Sequence, residues 1–156
     1  MLPSRKSPRL KGYDYKTPNY YFITVCAHNK VCYFGQPGDL NHLGEIAKQG
    51  LEQIPQHFPG VSLDKYIVMP NHIHAIIILN GREISLPTII GQFKAFVSRK
   101  IHLHDPDIKV WQSSFHDHVI RSEADYLRIW NYIDGNPFKW SEDCYYIQQC
   151  MEAAES

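Results

Sequence analysis

Met69-Pro70-Asn71-His72-Ile73-His74-Ala75-Ile76-Ile77-Ile78-Leu79 is the stretch that decides how this chain reads. Two histidines, one residue apart, head an apolar and β-branched run, the composition of a buried strand. A strand sends alternate side chains to one face, so His72 and His74 point the same way. Their rings can then close on one metal ion or on one phosphate. A lone histidine on a strand is usually a satisfied polar residue. Two on one face of a buried strand are harder to accommodate, because each imidazole needs its own partner. Pro70 and Asn71 mark the break or turn before the strand. Imidazole is the commonest metal ligand, but two ligands do not complete a site, so the rest of the chain must supply at least one more.

Upstream, Val61–Val68 reads as another strand, joined to the first by so short a link that the two are neighbours or a hairpin. Tyr20–Cys26, rich in aromatic and β-branched residues, is an earlier strand. Between them, Asn41 caps a helix reaching about His57, with Leu43, Ile46, Ala47, Leu51 and Ile54 at helical spacing and Pro55 disturbing its last turn. Downstream, Leu86 to about Ile101 is a second helix with Pro87 near its start. Residues 102–114 are irregular, and Phe115–Ile120 is a fourth strand. Ser122 caps a third helix running to Gly135, which Asn136-Pro137 stops. The order β-α-β-β-α-β-α gives an α+β fold of the ferredoxin-like split βαβ kind. One antiparallel sheet carries helices on one face, followed by a C-terminal helix that bears a tyrosine.

A chain of 156 residues with 44% apolar content is long enough for one domain with a real core. Residues 1–18 read as a basic mobile arm, 19–143 as the single domain and 144–156 as a tail. The formal net charge of zero excludes a globally basic, histone-like binder but leaves room for a local basic patch. No apolar run is long enough to span a membrane, and the polar N-terminus has no secretory core. The expected location is therefore cytoplasmic, with the nucleoid as the place of a DNA-binding role. Cys26, Cys32, Cys144 and Cys150 are spaced too widely for a zinc knuckle and read as reduced thiols.

The third helix holds Tyr132 and Asn136, four apart and so on one face, while Tyr126 faces elsewhere. Taken singly, Tyr132 reads as an amphipathic core residue and Asn136 as a helix stop. Together with the histidines they carry a resemblance. His72-Ile73-His74 has the histidine–hydrophobic–histidine pattern of the HUH nucleases, and Tyr132-Ile133-Asp134-Gly135-Asn136-Pro137 resembles the tyrosine-helix motif of the single-tyrosine HUH transposases. The REP-associated tyrosine transposases are the branch it is most similar to. Val68-Met69-Pro70-Asn71-His72, Phe93-Lys94 and Phe115-His116-Asp117-His118-Val119-Ile120-Arg121 look like that family too, so the likeness spans about residues 19–143.

The resemblance implies a ferredoxin-like core that cuts and rejoins single-stranded DNA next to hairpins through a 5′-phosphotyrosine. It implies Tyr132 as nucleophile, with His72, His74 and the Asn136 side chain as ligands of a divalent metal, Mg²⁺ or Mn²⁺. Insertion-sequence relatives carry glutamine where this chain has Asn136, which is one methylene shorter. The expected partner is single-stranded or hairpin DNA. Arg5, Lys6, Arg9 and Lys11 of the arm can pair phosphates, or else form a solvated tail. Lys94, Arg99 and Lys100 on the second helix can add a phosphate track. Tyr13, Tyr15, Tyr20 and Tyr21 can stack on unpaired bases. Both a monomer and a homodimer that donates the tyrosine helix across subunits are compatible with the family.

Of the other histidine pairs, His102 and His104 read as loop decoration. His116 and His118 share a strand face, where packing or hydrogen bonding competes with a place in the site. Two rivals stand against the transposase. Histidine-motif nucleotide hydrolysis needs a longer alternation than this, since Ile76 occupies the next position. A domesticated DNA-hairpin binder would keep the metal site without cutting.

Overall fold

The computed structural model describes residues 10–81 and 83–142. Its main sheet has four antiparallel strands: β1 (Asn19–Cys26), β4 (Val61–Met69), β5 (His72–Leu79) and β6 (His116–Ile120). Their order is β4-β5-β1-β6, with β5 and β1 in the centre. This is the strand order of the split βαβ fold expected from the sequence, and it makes β5 a central strand. β4 and β5 form a tight hairpin, Met69 pairing directly with His72 across Pro70 and Asn71. A small ribbon, β2 (Gly35–Gln36) with β3 (Asp39–Leu40), lies between β1 and the helix that Asn41 caps.

Alternation along β5 divides the molecule into two layers. Ile73, Ala75, Ile77 and Leu79 enter the large core built with α1 (His42–Glu52), α2 (Ile54–His57) and α3 (Leu86–His102). Asn41 caps α1 and Ser85 caps α3, each side chain accepting a backbone N–H. The two long helices approach closely at Gly50, where a Cβ would lie 2.8 Å from Val97 and 3.1 Å from Phe93. The even-numbered residues of β5 face the other way. There Phe22, Ile76 and Ile120 pack against Ile129 and Ile133 of α4 (Glu123–Gly135). The sheet is thus covered by α1 and α3 on one side and by the tyrosine-bearing helix on the other.

α4 attaches through a stripe spaced three and four apart: Ile129, Ile133, Asn136 and Trp140, all buried. The stripe outlasts the α-helix. Asn136 keeps helical angles, and the chain continues as a 3-10 helix over Asn136–Glu142. Pro137 therefore ends the α-helix as expected without ending the helical path, because its missing N–H falls in the first turn of the next segment. Polar tethers line the flank. Strand β4 slips register between Leu63 and Tyr66, a bulge that frees two successive residues to reach α4. Asp64 accepts from the Tyr126 hydroxyl at 2.5 Å, and Lys65 pairs with Asp134 at 2.8 Å while lying over the Trp130 ring. Burying the two isoleucines contributes about 1.5–3 kcal/mol each, whereas an exposed pair such as Lys65–Asp134 contributes about 1 kcal/mol at most. The apolar stripe sets where α4 lies, and the bulge contacts set its rotation.

The chain packs from Leu10 onward, inside the stretch expected to be a mobile arm. Tyr15 and Tyr21 are buried, and Tyr13 packs on them, its ring 4.9 Å from that of Tyr15. The Tyr21 hydroxyl bonds Tyr13 at 2.9 Å and the Thr17 carbonyl at 2.6 Å. Burial, and then the Tyr13 hydrogen bond, pushes the Tyr21 phenol far above its ordinary value. These three rings are a clasp closing the large core, not a base-stacking surface; of the four named tyrosines only Tyr20 is exposed. Among the described residues no helix is long and apolar enough to cross a membrane. Cys26 is buried, while Cys32, expected to be reduced, is disulfide-bonded and sits beside Met69 and Trp140. Cys144 and Cys150, and the expected tail, lie outside the described residues.

Candidate active site

His72 and His74 point to the same side of β5, as alternation requires. Their rings are 4.5 Å apart, and the two Nε2 atoms face each other at 3.1 Å. Each ring is fixed by its other nitrogen. His72 Nδ1 lies 2.9 Å from Asn71 Oδ1, and Asn71 Nδ2 donates to the Lys30 carbonyl at 3.2 Å. That second bond identifies the Asn71 oxygen as the atom facing His72, so Nδ1 carries the proton and Nε2 presents a lone pair. His74 Nδ1 meets Thr24 Oγ1 at 2.9 Å, directly across the β1–β5 ladder. A threonine hydroxyl both donates and accepts, so His74 can take either tautomer.

Both rings are sealed from water, with His72 0% and His74 2% exposed. Burial, followed by the charges of His74 and Lys30, holds His72 well below the usual histidine value. Burial alone lowers His74 to about 3. Both imidazoles are therefore neutral at pH 7, the form that binds a metal ion.

Tyr132 comes to this pair within the same chain. Its half-buried ring sits edge-on to His74 at 5.3 Å and to Phe22 at 6.2 Å. One turn on, Asn136 is 4% exposed, and its Oδ1 has no hydrogen-bond partner among the described residues. A further turn on, the Trp140 ring lies 5.8 Å from that of His72. Asn136 is thus bracketed by two residues whose rings meet the histidines.

A divalent ion suits this donor set. The 3.1 Å between the two nitrogens is less than twice a metal–nitrogen bond of about 2.1 Å, so one ion can reach both. With both Nδ1 atoms acting as donors, two lone pairs would face each other, an arrangement that a cation relieves. Asn71 and Thr24 are the outer partners that ligating histidines generally have. The buried Asn136 amide oxygen, which has no hydrogen-bond partner among the described residues, has the chemistry of a further donor. Among the described residues no cluster of three His, Cys, Asp or Glu side chains exists.

The remaining expected contacts lie elsewhere. Arg5, Lys6 and Arg9 are outside the described residues, and Lys11 is exposed on a turn. Lys94, Arg99 and Lys100 are on α3, across the sheet from the histidines. The Lys94 ammonium donates to the Gln112 and Ser114 carbonyls at 2.7 and 2.9 Å, bracing a loop. Arg99 and Lys100 are exposed, Lys100 lying over Phe96. His118 bonds Asp125 at 2.7 Å, and Asp125 also pairs with Arg128. Burial pushes the Asp125 carboxyl up, but the His118 and Arg128 hydrogen bonds and charges outweigh it and hold it below its ordinary value. His118 therefore anchors the start of α4, and His116 is exposed. His102 bonds the Ile108 carbonyl, and the His104 ring meets that of His42 edge-on. Tyr126, the other tyrosine of α4, gives its proton to Asp64, and that bond, with burial, pushes its phenol to about 12.

Residues 16–136 match the family model of the IS200-like transposases. An uncharacterized protein of Haemophilus influenzae is 36% identical over 168 aligned positions, covering 92% of this chain and 93% of its own. A REP-associated tyrosine transposase solved bound to a REP hairpin has a TM-score of 0.65 at 21% identity, over 90% of this chain and 74% of that one. A candidate transposase of Deinococcus radiodurans has a TM-score of 0.55 at 19% identity, over 81% of this chain and 97% of its own. At those identities the two structures establish the shared fold. Matched by the family model over most of its length, the chain belongs to the IS200-like transposase family.

Proposed function

We propose that this chain cleaves and rejoins single-stranded DNA next to hairpins, with Tyr132 as the nucleophile and His72, His74 and Asn136 as ligands of Mg²⁺ or Mn²⁺. A divalent ion bound there would offset the charge of the scissile phosphate and orient it. Two nitrogen donors favour Mn²⁺ on ligand preference. The Tyr132 oxygen bonds to phosphorus and the P–O3′ bond breaks. The phenol loses its proton, and the departing 3′ oxygen gains one. The product is a 5′-phosphotyrosine whose bond energy is kept, so the 3′-hydroxyl of a second DNA end can reverse the step and be joined. Hairpin DNA as partner follows the REP hairpin held by the structural relative.

The observation that carries this reading is the contact of Tyr132 with His74 inside one chain. Tyr126 is a poor competitor, since its proton is committed to a carboxylate. The test is incubation with Mn²⁺ and a labelled hairpin carrying single-stranded flanks, followed by a denaturing gel. The wild-type protein should carry the label covalently and Tyr132→Phe should not. Label retained by Tyr132→Phe would refute the assignment. The near-complete burial of both histidines favours one second reading, a protein that binds hairpin DNA without cutting it. That protein would bind the same DNA and give no adduct.

A further inference from the structure

Beyond the histidine–tyrosine site, one more feature at the same end of the sheet has the build of a binding surface. An open cleft of about 520 Å³ is lined by His28, Asn29, Lys30, Lys109, Gln112 and Ser113. That size falls within the range of ligand clefts. Among the described residues its lining is polar and basic. It begins where β1 ends: Cys26 is the residue paired with His72, and His28 follows two positions later.

Both walls are built rather than incidental. One wall is the short turn His28–Lys30, where Asn29 (φ 53°) and Lys30 (φ 56°) are consecutive residues in the left-handed region without being glycine. Such conformations persist only where surrounding contacts enforce them, and they gather at functional sites. Here backbone bonds from Lys30 N–H to the Ala27 carbonyl and from Val31 N–H to the His28 carbonyl close the turn, and Asn71 adds a side-chain tie, its amide donating to the Lys30 carbonyl while its oxygen meets His72. The cleft wall and the first histidine therefore share one buried side chain as a contact. The other wall is the 109–113 loop. It is stitched to the end of β1 by an Ala27–Trp111 bridge, by His28 N–H to the Val110 carbonyl at 2.9 Å and by Gln112 N–H to the Cys26 carbonyl at 3.0 Å. Lys94 locks it from behind by gripping the Gln112 and Ser114 carbonyls.

We propose that this cleft seats backbone phosphates of the unpaired DNA strand flanking the scissile bond, with Lys30 and Lys109 as the charged contacts and His28, Gln112 and Ser113 as hydrogen-bonding partners. The proposal rests on the DNA-processing reading of the neighbouring site. An unpaired strand is the form of DNA that fits, because the cleft opens beside the end of β1, whose last residue pairs with His72, and that histidine is buried between the sheet and a helix where a duplex has no room. Shared anchoring through Asn71 ties the position of the bound strand to the orientation of His72.

The test uses the full chain and its double variant Lys30→Gln/Lys109→Gln, both lysines being exposed. Binding to a fluorescent hairpin, with and without a single-stranded extension of about ten nucleotides, is measured by anisotropy across a salt series. The wild type should bind the extended DNA more tightly and with a steeper salt dependence. Two single-strand phosphate contacts add about 1.4 to the slope of log K against log salt. In the double variant the two DNAs should bind alike. A variant that keeps the extra slope, or a wild type that gains nothing from the extension, would overturn the proposal. Adduct formation is scored separately. A wild type with no adduct but with a lysine-dependent gain from the extension would leave the cleft as a strand-binding site and remove only the cleavage reading.

Discussion

Thr24→Val asks whether the histidine pair is built for a metal ion. The change is close to isosteric and suits a strand, so it removes one hydroxyl from the buried 2.9 Å contact with His74 Nδ1. Without metal, His74 has a way out. Its Nε2 can carry the proton and donate to His72 Nε2 at 3.1 Å, leaving at Nδ1 only an unsatisfied acceptor. With metal, that tautomer is forbidden, because Nε2 must offer a lone pair. Nδ1 then carries a hydrogen facing a methyl group. An orphaned buried donor costs about 1–3 kcal/mol, and 1.4 kcal/mol is a factor of ten. The half-saturating Mn²⁺ concentration should therefore rise about 10- to 100-fold, the usual effect of losing an outer partner of a ligating histidine. The assay is Mn²⁺ titration by calorimetry, repeated as the metal dependence of adduct formation. Adduct formation at saturating metal should approach the wild-type level, and Thr24→Ser should titrate like the wild type. A Thr24→Val midpoint within twofold of the wild type would refute the tautomer argument.

Further consequences follow from the same geometry. Both histidines have folded-state values below their ordinary 6.5, that of His74 at about 3, so between these limits the unfolded chain binds more protons. Metal-free stability should be full above about pH 6.5 and fall as pH drops toward 3, by about 1.4 kcal/mol per unit for His74 alone. Asp125, held low by its partners, adds its own loss only below the ordinary carboxylate value. Denaturant midpoints that stay flat between pH 7 and 5 would contradict this. Asn136→Asp places a carboxylate where a partnerless oxygen sits, so the metal-free protein should melt several degrees lower, and Mn²⁺ should raise its melting point by more than it raises the wild type's. Equal shifts would remove Asn136 from the ligand set. Tyr126→Phe should cost about 1 kcal/mol by releasing Asp64 but leave the adduct intact, and loss of the adduct in a folded variant would reopen the choice between the two tyrosines.

The parts of this molecule legible in the sequence are those where neighbours along the chain share a face. Period-two alternation put His72 and His74 together, and the interval of four put Tyr132 and Asn136 on one side of α4. The caps Asn41, Ser85 and Ser122 sit where their side chains accept the expected N–H groups. What escaped depends on register between distant strands. Thr24 meets His74 only because β1 pairs with β5 in one register, and nothing near Thr24 announces it. The bulge that turns Asp64 and Lys65 together toward α4 has no local signature either. The places of Lys94 and the tyrosine clasp are illegible for a different reason. A lysine or a tyrosine has the same composition signal whether it faces a phosphate, a base or a backbone carbonyl. Trp140 has no signal in the sequence because Asn136-Pro137 reads as the end of a helix, whereas the chain runs on as a 3-10 turn and brings that ring to His72.

The most direct test mixes two inactive proteins, Tyr132→Phe and His72→Ala/His74→Ala, with labelled hairpin DNA and Mn²⁺, beside the wild type. A site completed within each chain predicts an adduct on Tyr132 of the wild type and none in the mixture. Label appearing in the mixture would show the phenol serving a neighbour's histidines, and a wild type without label would deny the nucleophile altogether.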